Sequence, residues 1–141
     1  MTPPNITAAA KTVKPVWSVE MFEQFWANPD PALVPPDIFA PDVVGDWPGV
    51  AEPVRGVAAY SQRLADLMEL LPDMRLEVAE HAVNGEYTFI RWILHATGAH
   101  GRFDLSGMDR VRVRDGLIVE NVIRFDTAQF EARAGHPLPW S

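Results

Sequence analysis

The sequence predicts an α+β domain built as helix, short strand, helix, a four-strand meander and a closing helix. Three observations predict it. Val57, Tyr60, Leu64, Leu67 and Leu71 recur at helical spacing over residues 56–71. Apolar and polar residues alternate from Phe103 to Arg114, the period of a strand with one buried face. Turn signals at Asn84-Gly85 and Asp115-Gly116 separate consecutive extended segments.

Taken in order, Ser18 caps a helix from Val19 to about Ala27 with Phe22, Phe25 and Trp26 on its apolar side, and Asn28-Pro29 ends it. Residues 30–41 are proline-rich, with room for a short helical turn. Val43 to Trp47 reads as a short strand and Pro48 to Arg55 as a loop. Gly56 to Leu71 is the clearest helix, with Gln62, Arg63, Asp66 and Glu69 on its polar side and Pro72 stopping it. Strands follow at about 74–83, 86–97, 102–114 and 117–126. A final helix over about 127–134 ends at Gly135. Strand 86–97 has Ile90, Trp92, Leu94 and Ala96 on one side. Its other side, with Tyr87, Phe89 and Ile93, is also apolar enough to be covered.

Asp109 interrupts the apolar face of the strand that holds Phe103, Leu105, Gly107, Val111 and Val113. A carboxyl group there is costly unless it is hydrogen-bonded, paired or protonated. It is therefore either a well-satisfied structural group or part of a site. A two-residue loop after this strand pairs Arg114 with Leu117 and sets Val111 opposite Glu120. A three-residue loop pairs Val113 with Leu117, Val111 with Val119, Asp109 with Asn121, Gly107 with Ile123 and Leu105 with Phe125. The second register makes one continuous apolar face and is preferred. It makes Asn121 the cross-strand neighbour of Asp109, and an amide can serve either protonation state of a carboxyl group.

Composition narrows the function classes. The chain has 141 residues and no repeat, so a single domain over residues 16–141 is expected, preceded by a flexible extension over residues 1–15. A net charge of −7 argues against a nucleic-acid partner. Without cysteines, disulfides, thiol nucleophiles and Cys-ligated zinc are excluded. No apolar run approaches membrane-spanning length and residues 1–15 lack a hydrophobic signal core, so a cytoplasmic protein is expected. His95 and His100 lack a third ligand, Ser106 lacks a nucleophile elbow and no glycine-rich phosphate loop is present, so no metal or cofactor is expected.

The order of elements resembles the nuclear transport factor 2-like superfamily, and within it the SnoaL-type polyketide cyclase-like proteins. The segments that carry the resemblance are Asp42-Val43-Val44, Arg55-Gly56, the run from Leu71 to Val78, Arg91-Trp92, the run from Arg114 to Glu120, and Asp126. It implies a cone in which a curved mixed or antiparallel sheet wraps around helices and encloses a pocket. Dimerisation through the sheet is also implied, and the doubly apolar strand 86–97 fits a homodimer. Aligned on the ketosteroid isomerase branch, Asp109 falls on the carboxylic acid that is kept protonated in an apolar site to donate a hydrogen bond. The other two roles of that branch do not match, because Trp47 stands at the base position, with Asp46 beside it, and Phe22 at the tyrosine position. SnoaL-type cyclases use an aspartate near the chain end, for which Asp126 is the candidate; the residues alone read Asp126 with Arg124 as a helix-start cap or ion pair.

The candidate site is thus Asp109 as buried acid or anchor, Asn121 orienting it and Asp46 as a second titratable group. Trp47, Tyr60, Trp92 and Phe125 are the expected walls, with plain core packing as the alternative for each. The function implied is a cofactor-independent isomerase, cyclase or dehydratase acting on a hydrophobic, cyclic, oxygenated small molecule. The alternative is a non-catalytic ligand-binding or dimerisation module of the same fold.

Overall fold

In a computed structural model of the chain, which describes residues 16–33 and 36–140, the helices lie on one face of a six-stranded mixed sheet. The expected extension over residues 1–15 falls outside the described residues. Helix α1 spans Val19–Ala27, and the Ser18 hydroxyl accepts from the Met21 amide at 3.4 Å, as its position before the apolar periodicity requires. Short 3-10 turns at Pro31–Leu33 and Pro36–Ile38 lead into strand β1, Phe39–Asp46. A two-residue strand β2, Val54–Arg55, precedes helix α2, Val57–Leu70. The meander follows as β3 (Arg75–Asn84), β4 (Tyr87–Gly98), β5 (Gly101–Arg114) and β6 (Leu117–Arg124), and helix α3 (Thr127–Ala134) closes the fold.

The strand order is β2-β1-β6-β5-β4-β3. All pairings are antiparallel except β1 with β6, which is parallel. β1 is longer than the expected Val43–Trp47 because Phe39 already pairs with Ile118, ahead of a register shift that brings Val44 opposite Glu120. The concave face collects Ile90, Trp92, Leu94, Leu105 and Val111, all buried, and the helices add Phe22, Tyr60, Leu64 and Phe130. Burying side chains of this size stabilises the fold by about 1.5–3 kcal/mol each.

Neither expected register of the last hairpin survives. The loop is the two-residue one: Asp115 (φ 53°) and Gly116 (φ 79°) both take left-handed conformations, and Arg114 pairs with Leu117. This twist matches that of the flanking strands. A bulge then intervenes, since Val113 pairs with Ile118 but Arg112 pairs with Glu120. Val119 is the extra residue. Past it, Val111 pairs with Asn121 and Asp109 with Ile123, so Asp109 and Asn121 are diagonal neighbours rather than directly opposite. The bulge keeps Ile118, Asn121 and Ile123 buried while letting the short turn form.

Candidate functional site

Two polar side chains stand on the concave face near its centre, Asp109 at 6% exposure and Asn121 at 5%. Each is met by an aromatic ring, and each ring fits because a glycine stands beside it. Gly107 pairs with Trp92 across β4 and β5, and a Cβ at Gly107 would lie 2.2 Å from the Trp92 ring. The space lets Trp92 lie across the neighbouring strand, where its Nε1–H donates to Asp109 Oδ1 at 2.9 Å. On the other side Gly45 pairs with Asn121 across β1 and β6, and a Cβ there would lie 2.8 Å from the Tyr60 ring and 2.2 Å from Trp47. That gap admits Tyr60 from α2, and Asn121 Nδ2 donates to the Tyr60 hydroxyl at 2.8 Å.

Burial governs the electrostatics. It pushes the Asp109 carboxyl up from 3.8 to about 6, although the Trp92 N–H and the Asn121 amide favour the ionised form and pull the other way. Burial also raises the Tyr60 pKa, so Tyr60 is a neutral hydroxyl throughout the physiological range. A carboxyl group near 6 exchanges its proton readily at neutral pH, while its surroundings stay uncharged.

The interior is divided. An outer cavity of about 320 Å³ is walled by Phe22, Phe25, Phe39, Val111 and Ile118, among others. An inner one of about 40 Å³ lies against Asp109, Trp47, Trp92, Phe125 and Phe130. Trp26, Tyr60, Leu64 and Asn121 border both, so the Tyr60–Asn121 hydrogen bond sits in the partition. The four aromatic residues expected as walls, Trp47, Tyr60, Trp92 and Phe125, all line the inner chamber.

Asp46 lies elsewhere. Its carboxylate is engaged by Arg124 at 3.1 Å, and it borders neither chamber. The expectation of a second carboxyl beside Asp109 is corrected accordingly. The same contact removes Arg124 from Asp126, which instead caps α3 by accepting from the Gln129 amide at 2.9 Å. His95 is held between Asp104 at 2.7 Å and Glu77 at 2.9 Å. Among the described residues no group of three or more His, Asp or Glu side chains could hold a metal ion. The sequence reading missed the outer chamber and the Tyr60–Asn121 bond. The apolar side of α1 was legible, but nothing local says that it covers Val111 and Ile118.

The comparisons with known proteins agree with this architecture. The model of the SnoaL-like domain matches residues 19–121. A protein from Catenulispora acidiphila DSM 44928 with a ketosteroid isomerase-like fold, solved in complex with trimethylamine, is 17% identical; 87% of this chain and 95% of that one superpose with a TM-score of 0.74. TerC, co-crystallised with polyporic acid, is 21% identical over 83% of this chain and 95% of that one, with a TM-score of 0.71. A protein of unknown function with a cystatin-like fold from Xanthomonas campestris is 22% identical, with 87% and 95% covered and a TM-score of 0.66. Among curated proteins the chain has no match.

Proposed function

The chain belongs to the SnoaL-like domain family, and on that premise we propose that it is a small-molecule cavity protein that uses Asp109 for general acid–base chemistry on a hydrophobic, cyclic, oxygenated compound. The observation that carries this reading is one carboxyl group, buried against Trp92 at the inner end of an apolar interior. A carboxyl near 6 is poised to take a proton from one atom and return it to another, as isomerisation, cyclisation and dehydration all require. Trp92 holds the carboxyl in place and stabilises its ionised form, and the surrounding aromatic residues keep water away from the exchange. Small molecules bound by TerC and by the Catenulispora protein support a ligand in this fold.

The position of Asp46 favours a second reading. With a single carboxyl in the chamber, one group must serve as both acid and base, and a protein that only binds its ligand needs no more than that. Both readings share one domain over residues 16–141 in the cytoplasm. Both also share a homodimer formed through the outer sheet face, where Phe89 (38% exposed) and Met108 (47%) lie on adjacent strands. The test is a carboxyl carbon NMR titration of Asp109. An apparent pKa near 6 is expected for a proton-transfer group, and titration like that of a free aspartate removes the acid–base reading.

A further inference from the structure

The hydrogen bond in the partition leaves two capacities unspent. Asn121 Nδ2 is the donor to Tyr60, so the Tyr60 hydroxyl acts there as acceptor and its own proton is not used in that bond. Asn121 Oδ1 is buried and has no partner. The amide stands with its NH2 end toward the Tyr60 hydroxyl, and that end also suits the neighbouring Asp109, because a carboxylate can only accept; the carbonyl end is the one left without a partner. An unsatisfied buried acceptor is costly, and a buried donor beside it compounds the cost. Both residues border the two chambers.

We infer that Tyr60 and Asn121 are the specificity-determining pair of this cavity and that they select a ligand hydroxyl, a phenol or an enol, over a carbonyl or an ether. The inference rests on the interior being a ligand site, as proposed above. A hydroxyl is the group that answers both capacities with one atom: its oxygen accepts from Tyr60 O–H and its proton goes to Asn121 Oδ1. A ketone or ether oxygen accepts from Tyr60 and leaves the Asn121 carbonyl unpaired. Sites built to hydrogen-bond a hydroxyl reject analogues that lack it, because their own buried groups are then stranded. Such a ligand would also lie one amide away from Asp109, so its hydroxyl and the carboxyl would sense each other through Asn121.

The experiment uses the full chain and three probes of similar shape: 2-naphthol, 2-methoxynaphthalene and naphthalene. Binding is followed by quenching of tryptophan fluorescence and by the side-chain amide resonances of Asn121. 2-Naphthol is expected to bind at least tenfold more tightly than either analogue and to be the one that moves the Asn121 amide signals. Tyr60→Phe and Asn121→Leu are each expected to reduce that preference to less than threefold while still binding naphthalene. Equal binding of the three probes to the unsubstituted protein overturns the selectivity and leaves the cavity reading standing. Failure of all three to bind overturns the cavity reading itself. The amide resonances of the unsubstituted protein keep the inference testable should either variant fail to fold.

Discussion

Asp109 and Asn121, two of the buried polar positions of the concave face, are built alike and behave differently. Gly107 makes room for Trp92, which holds Asp109; Gly45 makes room for Tyr60, which is held by Asn121. An indole N–H can only donate, so the first arrangement stabilises a negative oxygen and leaves its donor fully used. A phenolic hydroxyl both donates and accepts, so the second keeps a free proton and a free carbonyl. The first arrangement therefore tempers the rise in pKa that burial imposes on a carboxyl, and the second keeps hydrogen-bonding capacity unspent. The lesson is that the donor inventory of the supporting ring, rather than the depth of burial, separates the two roles.

Asp109→Asn breaks the comparison most strongly, because it removes the charge while keeping an acceptor for Trp92. The folded pKa of about 6 lies above the ordinary 3.8, so the folded protein holds this proton more tightly than the unfolded chain does. That contribution is fully present below pH 3.8, is lost as pH rises toward about 6 and is absent above it. The gap corresponds to about 3 kcal/mol. Asp109→Asn is expected to abolish the dependence and to be more stable than the parent at pH 8 by up to about 3 kcal/mol. Urea unfolding at pH 4, 6 and 8 checks this, and parallel pH profiles for the two proteins would show that Asp109 is not held in an apolar site.

The glycines come next. Gly107→Ala and Gly45→Ala each force an aromatic ring out of a gap, and overpacking of this kind costs about 1–3 kcal/mol. Thermal unfolding measures the cost. The comparison sharpens if Gly107→Ala also raises the Asp109 pKa, by displacing the Trp92 N–H, while Gly45→Ala leaves it nearly unchanged. The smallest effect belongs to the outer face. Glu80→Ala removes an exposed ion pair with Arg91 (2.9 Å) and is expected to cost under about 1 kcal/mol in the same assay.

Much of this architecture is legible in the residues because it rests on local signals. Ser18, the Asp115-Gly116 turn and Gly135 each mark an element boundary through a cap or a backbone conformation that few other residues supply, and the apolar spacing of α2 marks its buried side. The burial of Asp109 is legible in the same way, from alternation along one strand. Its relation to Asn121 is not, because the bulge at Val119 arises where β6 must satisfy β5 on one side and a parallel β1 on the other. A hairpin read alone contains only one of those partners. The surroundings of Asp46 are not legible for a related reason: the residue that claims it, Arg124, is far away in sequence and faces it only once β1 and β6 are paired. Trp47, Tyr60, Trp92 and Phe125 line the inner chamber because large apolar side chains on inward positions have few other places to go.

The parallel pairing of β1 with β6 also bears on how the protein comes to be folded. Gly45 and Asn121 are separated in the chain by one helix and four strands, so this seam closes a long loop of chain. Closing it costs entropy before any contact across it rewards the search. The β3–β4–β5 meander, joined by short turns, can assemble first, with Asp109 and Trp92 still open to water. In that order the arrangement around Asn121 would be completed only when the seam closes and α2 brings Tyr60 onto it. A change that slows closure of this seam is then expected to delay the pairing of Tyr60 with Asn121 while leaving the meander intact.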